Sequence, residues 1–330
     1  MSLIRWGIIG CGNVTEVKSG PAFNKVPNSK LMAVMRRDES LLKDYALRHN
    51  VPYTFTSASD LIHHPEIDAV YIATPPHVHE LYAIEALRAN KHVYVEKPMA
   101  TTVGACLHMQ KVANELNGKL SIAHYRRQLP LFLKVKELLE SNEIGKITNV
   151  KIVMHKKARP ASYYINNWRV DKTQAGGGFF YDLAPHQLDL VFYFFGNAIT
   201  YHGTSFNKSG LYLVEDTVHG EMQMENGVHF TGDWCFAIDA NEEEQDTFII
   251  IGTQGSIKFP VFGHVITLIR KGITEHIEFE PPVHNQQNLI EKVVTFFLGK
   301  GENPCTTDDA LQSMRVMEAF VYGNKNNLNE

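Results

Sequence analysis

The chain has 330 residues, 44% of them apolar and 21% charged, with a formal net charge of −4. That length exceeds what one hydrophobic core usually fills, so two domains are expected, with the composition of an ordinary globular protein. The mild negative balance excludes charge-driven binding to nucleic acid or an anionic membrane, and no apolar run reaches the roughly 20 residues of a membrane helix.

Over residues 1–122, short apolar runs alternate with helical patterns. The strand runs are IRWGIIG, KLMAVM, AVYIAT, HVYVEK and LSIAHY; the helical ones are ESLLKDYALRHN, HELYAIEALRAN and VGACLHMQKVANEL. Continuous apolar strands separated by helices predict a parallel sheet covered on both faces. A connecting helix, LFLKVKELLESNEIG, then leads into a different rhythm. ITNVKIVMH, AITYHGTSFN, DTVHGEMQM, VHFTGDWCF, TFIIIGTQGSIKFP and VITLIRKG read as strands, with turn signals in MENGV and GTQGS. Few helices intervene, so this sheet is predicted to be mostly antiparallel. NLIEKVVTFFLG and DDALQSMRVMEAFVYG are helical again, and the tail GNKNNLNE is expected to fray. The fold class is therefore α/β in two domains, 1–122 and 123–330, with the final helix (about 306–322) packing back toward the first. The start of the chain shows no signal-peptide pattern. Cys11, Cys106, Cys235 and Cys305 are scattered without a C-x-x-C pair. Both features point to a reducing, cytoplasmic setting, and the cysteine spacing points away from zinc.

The first strand ends in GIIGCGNV, with Gly10 and Gly12 spaced G-x-G. In a dinucleotide fold the first glycine makes the tight turn, and the second lets the pyrophosphate approach the backbone at a helix N-terminus. Gly10, Gly12, Asn13 and Val14 are thus the first cofactor-binding candidates, although Thr15 stands where Gly or Ala normally permits close helix packing. The second strand ends in AVMRRDES. Arg36 and Arg37 suit a 2′-phosphate, where a carboxylate would repel it, so NADP is favoured over NAD. Two other readings stay open: a solvated charge cluster, or a one-residue shift that hands the ribose to Asp38.

The loop after the fourth strand, ATPPHVHE, lies where ligands sit in open α/β sheets. Thr74, Pro75 and His79 are cofactor candidates there; a metal reading of His77 and His79 lacks a nearby Cys or carboxylate cluster. VEKP then puts Glu96 and Lys97 at the end of a buried strand, with Pro98 fixing the chain direction; a cis Lys97–Pro98 bond is one way to do so. An ammonium aimed into the crevice could bond a substrate oxygen, while a strand-end salt bridge is the plain alternative. Further on, GGGFFYDLAPHQLDL sets Asp182 and His186 four residues apart. Asp182 reads as an N-cap, Pro185 as a first-turn residue and Gly196 as the stop. Asp182, His186 and Asp189 would share one face beside the apolar stripe of Leu183, Leu190 and Phe194. Gly176 to Gly178 would let the backbone approach a flat ligand or bend.

GIIGCGNV, ATPPHVH, VEKP, WRVDKTQAGGGFFYDLAPHQLD and TTDDALQSMRVMEA resemble, in that order, the motifs of the glucose-fructose oxidoreductase / inositol dehydrogenase / rhizopine-catabolism (Gfo/Idh/MocA) family. The resemblance runs from residue 4 to about residue 322. It implies an N-terminal Rossmann NAD(P)-binding domain and a C-terminal α/β domain for substrate binding and dimerisation, with a large, mostly antiparallel open sheet. It further implies hydride transfer between a nicotinamide and a hydroxyl-bearing carbon of a sugar, cyclitol or related diol. The family's lysine falls on Lys97 and its D-x-x-x-H pair on Asp182 and His186, the expected catalytic set. Trp168 and Arg169 correspond to a pair near cofactor and substrate. Tyr125, Arg126, Arg127, Tyr163, Asn166 and Asn167 carry donors and aromatic faces that suit a polyhydroxylated ring; Tyr125, Arg127 and Tyr163 join Lys97, Asp182 and His186 as substrate candidates. The cofactor is expected to be NADP, or NAD; no metal, nucleic acid or membrane is expected, and a homodimer or homotetramer would form through the C-terminal sheet. Competing readings are an NAD-dependent glycosidase of the same fold and a non-catalytic dinucleotide-binding sensor.

Overall fold

In a computed structural model, residues 2–323 are described; most of the tail expected to fray lies outside them. The chain runs β1 (Ile4–Ile9), α1 (Asn13–Glu16), β2 (Ser29–Met35), α2 (Glu39–His49), β3 (Tyr53–Phe55), α3 (Ala58–Ile62), β4 (Ala69–Ile72), α4 (His79–Arg88), β5 (His92–Val95), α5 (Val103–Glu115) and β6 (Leu120–Ile122). It continues through α6 (Pro130–Glu140), β7 (Ile147–Lys157), α7 (Lys172–Ala175), α8 (Gly178–Phe195), β8 (Ala198–Phe206), β9 (Thr217–Met224) and β10 (His229–Ile238). β11 (Gln245–Gly252), β12 (Gly255–Phe259), β13 (Val265–Arg270), β14 (Ile273–Glu278), α9 (Gln287–Phe297) and α10 (Thr307–Tyr322) complete it.

β1 to β6 form a parallel sheet in the order β3-β2-β1-β4-β5-β6. All four residues of β4 are buried, as a strand covered on both faces requires. Helix starts are fixed by side chains that satisfy first-turn N–H groups: Asp38 accepts from Leu41 N, and Thr102 from Ala105 N. The strand order reverses between β1 and β4, so the ends of β1, β4 and β5 form the crevice that such sheets use for ligands. The ladder extends past the strands: Ala73 N donates to Ile9 O at 2.9 Å and Glu96 N to Ile72 O at 2.9 Å.

The second sheet has eight strands, ordered β14-β13-β12-β11-β7-β10-β9-β8. Only the β7–β10 pair is parallel, so the expected mostly antiparallel sheet is present.

The division of the chain differs from a single break near residue 123. One compact unit comprises 1–128 with 282–311, the other 129–281 with 312–330. Polar ties explain why 282–311 belongs with the first sheet. Ile122 N donates to Cys305 O, the Lys119 ammonium donates to the carbonyls of Phe296 and Phe297, and Gln110 donates to Thr307 and Asp308. The final helix is shared: its first residues count with the first unit, while Phe320 packs near Trp234 and Val321 O accepts from Ser205 in the second. The four cysteines are buried, and none forms a disulfide among the described residues. Among the described residues, no helix is long and apolar enough to cross a membrane, and no His, Cys, Asp and Glu cluster could hold a metal.

Candidate active site

The glycine turn is shaped by two different constraints. Gly10 has φ +90°, and a Cβ there would lie 2.8 Å from Thr74 Cγ2 and 3.0 Å from Ala73 O. At Gly12 the nearest atom to such a Cβ is Gly10 O at 3.9 Å, so a side chain would enter open space above the turn. That is the space a pyrophosphate needs. The helix that follows is only one turn, Asn13–Glu16, so main-chain N–H groups rather than a long dipole are what this turn offers an anion. Thr15, buried where a small residue was looked for, hydrogen-bonds Gly12 O at 2.8 Å and so helps hold the turn. Gly12→Val is expected to abolish dinucleotide binding with the fold retained, measured by quenching of tryptophan fluorescence during an NADP titration and by thermal melting.

Arg36 lies beside this turn, with Nη1 3.1 Å from Cys11 O, while Arg37 is exposed. The Asp38 carboxylate is engaged as the α2 cap, 3.0 Å from Leu41 N. At the β4 end, the buried Thr74 hydroxyl has no hydrogen-bond partner among the described residues. A lone polar atom at a strand end, below an open glycine turn, fits a dinucleotide bound across these loops. His79 begins α4, as its sequence position suggested, but it is fully buried. Nε2 lies 2.8 Å from Thr74 O and Nδ1 3.1 Å from Pro98 O, so the neutral ring, with a single N–H, donates to one of these two loop carbonyls at a time. Burial pushes its pKa down to about 4, against the backbone contacts that raise it.

The Lys97–Pro98 peptide is cis. Lys97 is half-buried, and its main-chain N donates to Glu96 Oε2 at 3.1 Å. Glu96 itself is 7% exposed and takes a 2.5 Å hydrogen bond from the Tyr71 hydroxyl. Burial, then the Glu96 charge, hold Tyr71 far above its ordinary pKa, so it stays a donor.

In the second unit the glycine-rich entry departs from the sequence reading. α8 starts at Gly178 with Gly177 as its cap, so Asp182 sits in the second turn and Pro185 in the interior. The cause lies in the glycines. Gly176 and Gly178 have φ of +83° and +65°, and a Cβ on Gly177 would lie 2.3 Å from the Tyr181 ring. They belong to a tight entry that begins the helix before Asp182 can cap it. The expected single apolar stripe is also too narrow: α8 is buried nearly all round, with Gln187 and Asp189 inside. Gln187 accepts from Trp234 Nε1 at 2.6 Å. Gly196, with φ +78°, ends the helix as expected.

Asp182 and His186 lie one turn apart. Arg169 Nε donates to Asp182 Oδ2 at 2.7 Å, and its guanidinium lies 4.6 Å from the Trp168 ring centre. Asn167 caps the short turn carrying both, accepting from Arg169 N. Trp168, Arg169 and Asp182 are thus one assembly, from residues 13 apart or more at the ion pair. His186 is 5% exposed and meets the Phe262 ring edge-on, centroids 5.6 Å apart. Asp246 holds that turn by accepting from Val261 N and Phe262 N. Phe262 and Asp246 were missed in the sequence because one is an ordinary apolar residue of VFGHV and the other a single acid after the run EEEQ, with no local sign of the partner either meets.

Tyr125, Arg126 and Arg127 form a short turn after β6, all three buried. The Arg126 guanidinium lies 5.3 Å from the Tyr125 ring centre. Arg127 pairs with Asp309 at 3.1 Å. Burial alone would raise the Asp309 carboxyl, but Arg127 and Thr306 outweigh it and hold it below its usual value. Tyr163 is 49% exposed. Asn166, by contrast, adopts φ +57° in the loop before the Trp168 turn.

A doubly wound parallel sheet with an open glycine turn, together with the second sheet and its buried acid–imidazole helix, defines a two-domain oxidoreductase of the NAD(P)-binding class. The chain belongs to the Gfo/Idh/MocA family: residues 4–124 match its oxidoreductase domain with the NAD-binding Rossmann fold, and residues 132–258 match its C-terminal domain. It is 42% identical over 322 residues to Oxidoreductase P35 of Formosa agariphila, covering 97% of this chain and 98% of that one. Among solved structures it is similar to the aldose-aldose oxidoreductase of Caulobacter crescentus complexed with glycerol (TM-score 0.84, 22% identity, 96% of each chain). It is likewise similar to a levoglucosan dehydrogenase in complex with NADH and levoglucosan (TM-score 0.83, 21% identity, 96% of each chain). At these identities the structural likeness speaks for the fold.

Proposed function

We propose that this protein is an NADP-preferring oxidoreductase that interconverts a secondary alcohol and a ketone on a sugar, cyclitol or related polyol. The observation that carries the reading is the α8 pair: a deeply buried imidazole one helical turn from a carboxylate that a stacked arginine already clamps. His186 takes the hydroxyl proton in oxidation and returns it in reduction, the general acid–base work that an imidazole most often performs. Lys97 donates a hydrogen bond to the substrate oxygen and stabilises charge developing on it. Asp182, steadied by Arg169, bonds a neighbouring hydroxyl. The dinucleotide, bound with its pyrophosphate at the glycine turn, would supply the hydride chemistry from its nicotinamide. Gly10, Gly12, Asn13, Val14 and Thr74 hold it, and Arg36 takes the 2′-phosphate.

The sugar-active enzymes of similar fold support this substrate class. Phe206, Ile251 and Ile269 are exposed on strands of the second sheet and support association with a second copy through that face. The test is a panel of aldoses, polyols and cyclitols with NADP or NAD, followed at the nicotinamide absorbance band. A net absorbance change on at least one substrate is expected, and none with either cofactor overturns the reading. Because Asp38 is engaged as a helix cap, Arg36 is left to choose between cofactors. Arg36→Ala is expected to raise the KM for NADP at least about tenfold and leave that for NAD nearly unchanged, as loss of one charge-assisted contact implies. An unchanged NADP/NAD ratio would sink the NADP assignment.

A further inference from the structure

The geometry points to Gln286 as a positioning residue for Lys97, acting through Glu96. Gln286 lies 190 positions from Glu96 in sequence, fully buried in the same compact unit. Its Nε2 donates to Glu96 Oε1 at 2.5 Å, and its Oε1 accepts from the Tyr94 hydroxyl at 3.0 Å. The chemistry fixes the amide's orientation, since only its NH2 can face a carboxylate that accepts from every other neighbour. Tyr71 donates to the same Oε1, and the Lys97 main-chain N–H to Oε2. Glu96 is therefore held on one oxygen by two buried side chains, while the other oxygen grips the peptide that carries Lys97.

The main chain of Gln286 extends the tie. Its N–H donates to Lys18 O at 3.0 Å, and His284 Nδ1 lies 2.6 Å from Val17 O. The segment 284–286 thus clasps the chain just beyond the glycine turn with its backbone, and the base of Lys97 with a side chain. A buried, fully bonded network of this kind has one low-energy arrangement, since breaking any member strands a desolvated polar group. The ammonium of Lys97 takes its direction from that arrangement.

This inference rests on the proposed role of Lys97, and its test separates the two. Lysines are reductively methylated with 13C-formaldehyde in the full-length protein, and the Lys97 signal is assigned by its loss in Lys97→Arg. In Gln286→Leu and Gln286→Glu the Lys97 signal is expected to shift, while signals of remote lysines stay in place. With the sugar found active, kcat falls about 10–100-fold and both KM values change little, because misdirection of a catalytic group lowers rate rather than binding. Tyr94→Phe removes one hydroxyl, keeps the Gln286–Glu96 contact, and should give a smaller effect of the same sign. It carries the test if Gln286→Leu fails to fold. An unmoved Lys97 signal in folded Gln286 variants overturns the proposal, as does a loss of melting temperature with kcat per folded molecule unchanged. A shifted Lys97 signal in a protein that turns over no sugar leaves the positioning role standing and removes the proposed reaction instead.

Discussion

His186→Ala is expected to lower kcat by about 10²–10⁴-fold, the usual cost of losing a general acid–base group. Its position explains why a substitute is not at hand. The imidazole is 5% exposed, on a helix buried nearly all round, with the Phe262 ring against its edge, so bulk water has little access to act as proton carrier. Of the two carboxylates on α8, Asp182 is already clamped by Arg169 and Asp189 is buried at 1% exposure. Removing the imidazole should therefore spare cofactor binding while lowering the rate of the proton-coupled step. Single-turnover rates with saturating cofactor, measured from pH 5 to 9 with the wild type alongside, provide the check. Near-normal turnover in the variant would take the proton-carrying role away from His186.

The second large effect concerns stability against acid. His79 has a folded pKa of about 4, because burial disfavours its charged form. In the unfolded chain it titrates near 6.5. A base whose pKa is depressed by folding binds fewer protons in the native state, so the unfolded state gains as pH falls between those two values. The stability His79 contributes is fully present above about pH 6.5, declines as the pH drops toward 4, and changes no further below that. The difference corresponds to roughly 3 kcal/mol, a large part of a typical folding free energy. His79→Gln, which cannot titrate, should lose stability less steeply than the wild type across this window in urea unfolding. An NMR titration should find the His79 ring neutral down to about pH 4; a midpoint near 6.5 would refute the assignment.

Most of the architecture was legible because continuous apolar runs and helical periodicity repeat along the chain. β3 and β14 escaped notice for opposite reasons: Tyr53–Phe55 is too short to show a period, and Ile273–Glu278 is an almost fully exposed edge strand without a core face. Asp182 looked like a cap because it followed glycines and preceded a proline. The backbone at Gly178 turns earlier, and Pro185 is carried inside the helix. Lys97, Asp182 and His186 stood out by residue type and motif. Arg169–Asp182, Arg127–Asp309 and Gln286–Glu96 did not, since pairings that distant have no local signature. Gln286 is one amide in the polar run HNQQN, and only its burial beside two tyrosines gives it meaning.

The division of the chain bears on how this protein is made. Residues 1–128 do not contain their whole unit; the remainder, 282–311, is translated only after all of 129–281. A nascent chain that has emerged as far as β6 therefore still lacks Gln286 for its buried Glu96, and the Cys305 carbonyl for Ile122. Synthesis proceeds at about 5–20 residues per second, so the incomplete sheet waits on the order of ten seconds or more for its missing polar partners. During that interval the Glu96 carboxylate and the Ile122 N–H must take their hydrogen bonds from water or from other proteins.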